Sequence, residues 1–560
     1  MSRSSLLTSV LVFALIASSP SIAENSKRLI HGLIYTLNPQ QPVAEAVVID
    51  NGRFQFVGKL DEAMALINDA TEVLDLGDSV AYPGFIEGHG HLSSLGRSLA
   101  SINLSNAENF DQIVDMVSQK AATLQPGEVV FGRGWHQSKW SSRPNPEVDG
   151  FPTHDKLSLV APNHPVVLEH ANGHTVLINQ NAMQRANITA QTVAPEGGVI
   201  VLDETSQPTG ILHETAMTLI SELTKRTVAT AQQSILEGQA HAFANGITAF
   251  HDAGVDSVDV QAQQALDASG ELKLRLYSMI DATDRSLIDQ WLEHGPIIAN
   301  SKSRLTIRSI KVVMDGALGS RTAWLHEPYT DDPATKGLPT FDADEFESLV
   351  SRASHLGWQV NTHAIGDKAN TEVLDRIALA VSNPKSLRFR IEHAQHIRPS
   401  DVEKFTTLGI IASMQPIHMS SDRPWAIERL GQERIESGAY IWRSLLDAGV
   451  LIASGTDVPV EPISPIANFY AAITRKTLKG TPDTGYEPGQ KMTRLEALRA
   501  MTANNAFAAF EEQNQGLIAV GNYADLTILS SDLLNVEEHK ILDTKVVRTI
   551  VAGETVFSNH

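Results

Sequence analysis

The sequence predicts an α/β protein: a (β/α)8 TIM barrel, a small β-sandwich built from both chain ends, and a long insert after the first barrel strand. Three observations carry this prediction. Along the middle of the chain, a helical segment ending in glycine, an apolar strand and a polar strand end recur in that order. Both extremities read instead as short strands separated by turn residues. The length of 560 residues is ample for a large barrel with a smaller companion domain.

Residues 1–23 read as a secretory leader. Arg3 supplies the positive start, residues 6–16 the apolar core, and Ser21-Ile22-Ala23 a small-x-small cleavage site. The core is too short to anchor in a bilayer, and no cysteine follows it for lipid attachment. A secreted or periplasmic protein is therefore expected, with no membrane segment after leader removal. Residues 24–83 form the first part of the sandwich, with strands at 29–36, 46–49 and 54–58 and a turn at Asn51-Gly52. Residues 513–560 form the second part, from Ala524 to Phe557.

The barrel is expected over residues 84–512. Gly246, Gly357, Gly409 and Gly449 each precede an apolar run, as left-handed residues after helix ends do. Adding residues 85–91, 166–170, 305–315 and 387–393 gives eight strands. A doubly wound open sheet is the competitor, but it concentrates polar residues at one crevice, whereas here they end nearly every strand. Residues 92–245 form the insert, which carries Gly132-Arg133-Gly134-Trp135-His136-Gln137, Asn172-Gly173-His174 and Pro195-Glu196-Gly197-Gly198. It is either a substrate cap or decoration of the rim. Thr493-Arg494-Leu495-Glu496 is a capping box that opens a helix to Phe510.

Composition narrows the function classes. A formal net charge of −21 argues against nucleic acid and anionic membranes as partners. Without cysteine there is neither a disulfide framework nor thiolate chemistry, so any metal rests on His, carboxylate or modified lysine. No Gly-x-Ser-x-Gly elbow suggests a serine hydrolase.

His89 and His91 stand one residue apart at the end of an apolar strand, so both aim at one point. Alone, His-x-His is weak evidence for a metal. His363, His393 and Asp457, however, end later strands at the same side of a barrel. Four imidazoles and a carboxylate suit zinc or a similar divalent ion, one or two in number. Lys311, inside the strand Ser309 to Asp315, needs either a partner such as Asp315 or carbamylation into an anionic metal bridge.

These motifs resemble the amidohydrolase superfamily, and within it the amidohydrolase-3 branch of N-substituted formamide deformylase-like proteins. The resemblance runs from about Leu29 to Phe557. It rests on Pro83-Gly-Phe-Ile-Glu-Gly-His-Gly-His91, the Gly132–Gln137 run, Asp315-Gly-Ala-Leu-Gly-Ser-Arg321, His363-Ala-Ile-Gly-Asp367, Ile391-Glu-His-Ala-Gln395 and Gly455-Thr-Asp457. It implies His89 and His91 on the more buried ion, His363 and His393 on the second, Lys311 as bridge, and Asp457 as ligand and base. The chain departs from the branch at Glu87, His136 and Asn172, where aspartate is usual; the last two bear on substrate, not metal.

The chemistry implied is hydrolysis of a non-peptide C–N bond of a small-molecule substrate by metal-activated water. Asp457 would carry the proton, and Trp135, His174 and Arg321 are candidates for shaping the pocket. An esterase or lactonase using the same site and a non-catalytic exported metal-binding protein are the alternatives. A homodimer is left open.

Overall fold

The computed structural model describes residues 27–559 except 172 and 173. The proposed leader and the Asn172-Gly173 pair lie outside the described residues.

The barrel is one sheet of eight parallel strands: β1 (Phe85–Gly90), β2 (Ile247–Val255), β3 (Arg275–Asp281), β4 (Leu305–Val313), β5 (Gln359–Ala364), β6 (Arg390–His393), β7 (Ile411–Met414) and β8 (Ile452–Ser454), each beside the next in chain order. The ring is drawn together past β8, where the Asp457 N–H donates to His89 O at 2.7 Å and the His91 N–H to Val458 O at 2.8 Å. β1 is buried along its whole length. Its glycines let both neighbouring strands approach: a Cβ at Gly88 would stand 2.5 Å from Ser454 O of β8, and one at Gly90 2.6 Å from the Phe250 ring of β2. All four glycines that precede the repeating strands have positive φ, between 69° and 80°, as expected.

Two details correct the sequence reading. Val166–His170 is not a barrel strand. It lies in a separate six-stranded sheet of the insert, between Thr175–Ile178 and Val130–Trp135. The barrel's remaining strand is β3, whose Arg275 and Asp281 ends mask its apolar interior. Burial of the Arg275 guanidinium is offset by Asp525, which it meets at 2.7 Å. The capping box at Thr493 and Glu496 is present, but its helix stops at Ala500. Thr502, at φ −136° and ψ −92°, breaks it from a second helix, Ala503–Ala508.

The insert has its own core, in which Phe110, Val130, Trp135, Leu168 and Ile211 pack together. The chain ends share one sheet of seven strands, ordered Glu554–Ser558, Val546–Val551, Leu526–Leu529, Glu72–Pro83, Arg28–Tyr35, Val43–Asp50 and Arg53–Gly58. Ile30, Val47, Phe54 and Ala81 from one end meet Leu526, Ile528 and Ile550 from the other in a common apolar cluster. No helix among the described residues is long and apolar enough to cross a membrane.

Candidate active site

The strand ends β1, β4, β5, β6 and β8 place His89, His91, Lys311, His363, His393 and Asp457 around one mouth. The His89 and His393 rings are 4.9 Å apart and the His363 and His393 rings 4.5 Å, centre to centre. Asp457 is the hub. Its Oδ1 lies 3.0 Å from His91 Nε2 and 3.6 Å from His89 Nε2, while its Oδ2 lies 3.6 Å from His418 Nε2. Asp457 has φ 59° and His393 φ 74°, left-handed backbone that costs on the order of 1–3 kcal/mol each and recurs at functional sites.

The outer partners of the histidines fix their tautomers. His91 Nδ1 is 2.7 Å from Ala253 O, so it must carry the proton, because a carbonyl only accepts. His89 Nδ1 donates to the wholly buried Glu392 Oε2 at 2.6 Å. His393 Nδ1 donates to Gln415 Oε1 at 2.8 Å, and the Gln415 amide is oriented in turn by donating to Ser413 O. In the neutral rings, each Nε2 therefore keeps a lone pair. Those of His89 and His91 face a carboxylate oxygen, an arrangement that a divalent cation reconciles. This donor set fits a metal ion; two ligand groups, His89–His91–Asp457 and His393–His418–Asp457, each have all ligand atoms within 4.8 Å of one another.

Electrostatics agree. Burial and the neighbouring Lys311 hold His89 below its ordinary pKa, and the same two causes bring His363 down to about 3. Burial, then His363, holds His393 well below. Burial works against a charge on His91, yet Asp457 raises it overall. Asp457 itself would be raised by burial, but its contact with His91 and the nearby His89, His393 and His418 keep it well below the usual carboxylate range. Burial would also raise Glu392, which His89, Arg390 and Lys311 hold down at about 2. Imidazoles such as His89, His363 and His393, held uncharged beside ionised carboxylates, suit a ligand set.

Lys311 is buried, and burial lowers its pKa against the pull of Glu392, Asp457 and Asp281. Its Nζ lies 3.1 Å from His89 Nε2. Among the described residues no carboxylate comes within 4 Å of it. Asp315 is engaged elsewhere, accepting from the backbone N–H groups of Trp324, Ile365 and Gly366. Glu87 ties β1 to β8 by accepting from Thr456 N and Oγ1, at 2.6 and 2.8 Å.

The three pocket candidates are not gathered here. Trp135 is 1% exposed in the insert core, its Nε1 donating to Leu168 O. Arg321 spends its guanidinium on Asp331, at 2.9 and 3.2 Å. His174 is exposed and pairs with Glu214 at 3.1 Å. Conversely, His418 was not singled out from the sequence. Pro416 opens the helix Pro416–Gly438 directly after β7, and this Pro at the first position was the signal that His418 falls in the first turn, at the mouth.

The sequence profile described as "Amidohydrolase family" matches residues 72–557. "Putative amidohydrolase YtcJ" of Bacillus subtilis is 29% identical over 94% of this chain and 98% of its own. "N-substituted formamide deformylase" of Arthrobacter pascens is 27% identical over 94% and 97%. The crystal structure of an uncharacterized metal-dependent hydrolase from Pyrococcus furiosus, 29% identical, superposes with a TM-score of 0.74 over 91% of this chain and 100% of that one.

Proposed function

The chain belongs to the amidohydrolase family and is a metal-dependent hydrolase of that superfamily; from this premise we propose that it cleaves a non-peptide carbon–nitrogen bond of the amide type in a small molecule. His89, His91, His363, His393 and Asp457 would hold a divalent ion, zinc being the choice that suits imidazole and carboxylate ligands. The ion supplies Lewis acidity and lowers the pKa of water. The observation that carries the reading is Asp457: an ionised carboxylate whose Oδ1 faces His89 and His91 and whose Oδ2 faces His418. It can accept the proton of the attacking water and hand it to the departing nitrogen as the C–N bond breaks. An amine leaves only when protonated, whereas an alkoxide needs less help. A residue placed to carry that proton therefore favours amide over ester cleavage. The N-substituted formamide deformylase of Arthrobacter supports the same bond class.

Lys311, with no carboxylate within 4 Å among the described residues and facing His89, is proposed to be carbamylated. Carbon-13 bicarbonate should give a carbamate resonance that Lys311→Met abolishes. Export through the residue 1–23 leader is likewise proposed, and cell fractionation tests it. The function is tested on metal-loaded protein with matched panels of amides, esters and lactones. Amide turnover lost in Asp457→Asn is expected. Turnover confined to esters and lactones would replace the amide reading, and metal uptake without any turnover would favour a non-catalytic binding protein.

A further inference from the structure

The first turn of the helix after β7 carries a side chain whose surroundings a packing role does not explain. His418 is 9% exposed, and its Nε2 is buried without a hydrogen-bond partner. An unsatisfied buried polar atom costs about 1–3 kcal/mol. Nε2 points at Asp457 Oδ2 from 3.6 Å, and the ring lies nearly parallel to that of His393, 12° between planes with centres 5.9 Å apart. His393 presents a lone pair at Nε2, because Gln415 accepts the proton of its Nδ1. His363, by contrast, has Nε2 at 3.4 Å from the carbonyl of Gly316, so this nitrogen is a donor there and the lone pair of the neutral ring sits on Nδ1.

We propose that His418 is a cation ligand, forming with His393 and Asp457 a second cation position that the Asp457 carboxylate bridges to the one at His89 and His91. The spacing fits: two ligand atoms at about 2.1 Å from a tetrahedral centre stand roughly 3.4 Å apart, and the His418–Asp457 separation is 3.6 Å. The division of the carboxylate fits as well, since Oδ1 serves His89 and His91 while Oδ2 faces His418. A helix that begins with proline straight after the strand has a fixed entry, which holds the imidazole in place before any ion arrives. The inference rests on the metal-dependent reading of the site and deepens it by adding a ligand from the helix that follows β7.

The test uses cobalt(II) as probe on the full-length protein, stripped of metal and reloaded. Wild type and His418→Gln are compared for bound equivalents and for affinity by chelator competition. Anomalous diffraction at the cobalt edge is recorded from wild-type crystals. The expected result is one equivalent fewer in His418→Gln, or a loss of more than ~10-fold in the weaker binding step, together with an anomalous peak within ligand distance of His418 Nε2 in wild type. Cobalt at His89 and His91 alone, or His418→Gln retaining both steps unchanged, overturns this inference and leaves the hydrolase reading intact. Wild-type protein that takes up no cobalt overturns both. Should the variant not fold, the wild-type anomalous map decides.

Discussion

Glu392→Gln isolates the role of one buried oxygen. Glu392 Oε2 accepts the Nδ1–H of His89 at 2.6 Å inside the barrel, and both side chains are fully buried. With the carboxylate ionised, the bond is charge-assisted and worth about 1.5–3 kcal/mol; a neutral amide acceptor gives about 0.5–1.5 kcal/mol. The difference, roughly 1–1.5 kcal/mol, weakens the basicity of His89 Nε2 and corresponds to about a tenfold loss of metal affinity, at the lower end of what removing such outer partners costs. A second effect is separable. Glu392 Oε1 has no hydrogen-bond partner, so the new NH2 is an unmet donor that destabilises the fold by about 1–3 kcal/mol. That cost is common to metal-free and metal-bound protein and cancels in the affinity. The assay is therefore twofold: zinc affinity by chelator competition, and denaturant unfolding of the metal-free variant. Affinity within twofold of wild type would refute the claim that Glu392 sets the His89 tautomer for ligation.

Further outcomes follow from the same geometry. Asp457→Asn should lower kcat by roughly 10²–10⁴-fold on any amide substrate found, with product release per turnover as the measure. Burial and then Asp259 push Asp252 up to about 7, against 3.8 in the ordinary case. A carboxyl raised in this way contributes stability that is full below about 3.8 and lost as pH rises through about 7. Denaturant unfolding between those values should show that slope in metal-free wild type and a flatter one in Asp252→Asn. Zinc at a hundredfold over its Kd should stabilise the protein by about 2.7 kcal/mol, removed by a chelator and read as a shift in the unfolding midpoint. Trp135→Ala should cost the insert about 3–5 kcal/mol. Hydrogen exchange would show it in the Val130–Trp135 and Val166–His170 strands, while cobalt affinity at the barrel mouth stays unchanged.

The legibility of the fold and site in the sequence varied with the range of the forces involved. The shared direction of His89 and His91 was legible from strand alternation, because period two is a local property, whereas their metal reading needed His363, His393 and Asp457 as well. The glycine-before-strand repeat found the strand beginnings for the same reason. Val166–His170 was misplaced because a five-residue apolar strand in an insert sheet has the same pattern as one in a barrel. β3 escaped notice because the charge at Arg275 is satisfied by Asp525, 250 residues away. Trp135 was legible as unusual, but whether an indole lines a cavity or fills a core depends on its neighbours Trp140, Phe151 and His170. His418 lies outside the strand-end pattern, because the mouth of a barrel is also built from first helical turns.

The terminal sheet carries a consequence for biogenesis. Its central strand, Glu72–Pro83, is flanked on one side by Arg28–Tyr35 and on the other by Leu526–Leu529. A strand made early in synthesis thus waits for a partner that leaves the ribosome hundreds of residues later. Loop closure over that span precedes the contacts that reward it. The edge of Glu72–Pro83 therefore stays unpaired throughout elongation, and chaperone capture of this segment on stalled nascent chains should end only when residues beyond Leu529 have emerged.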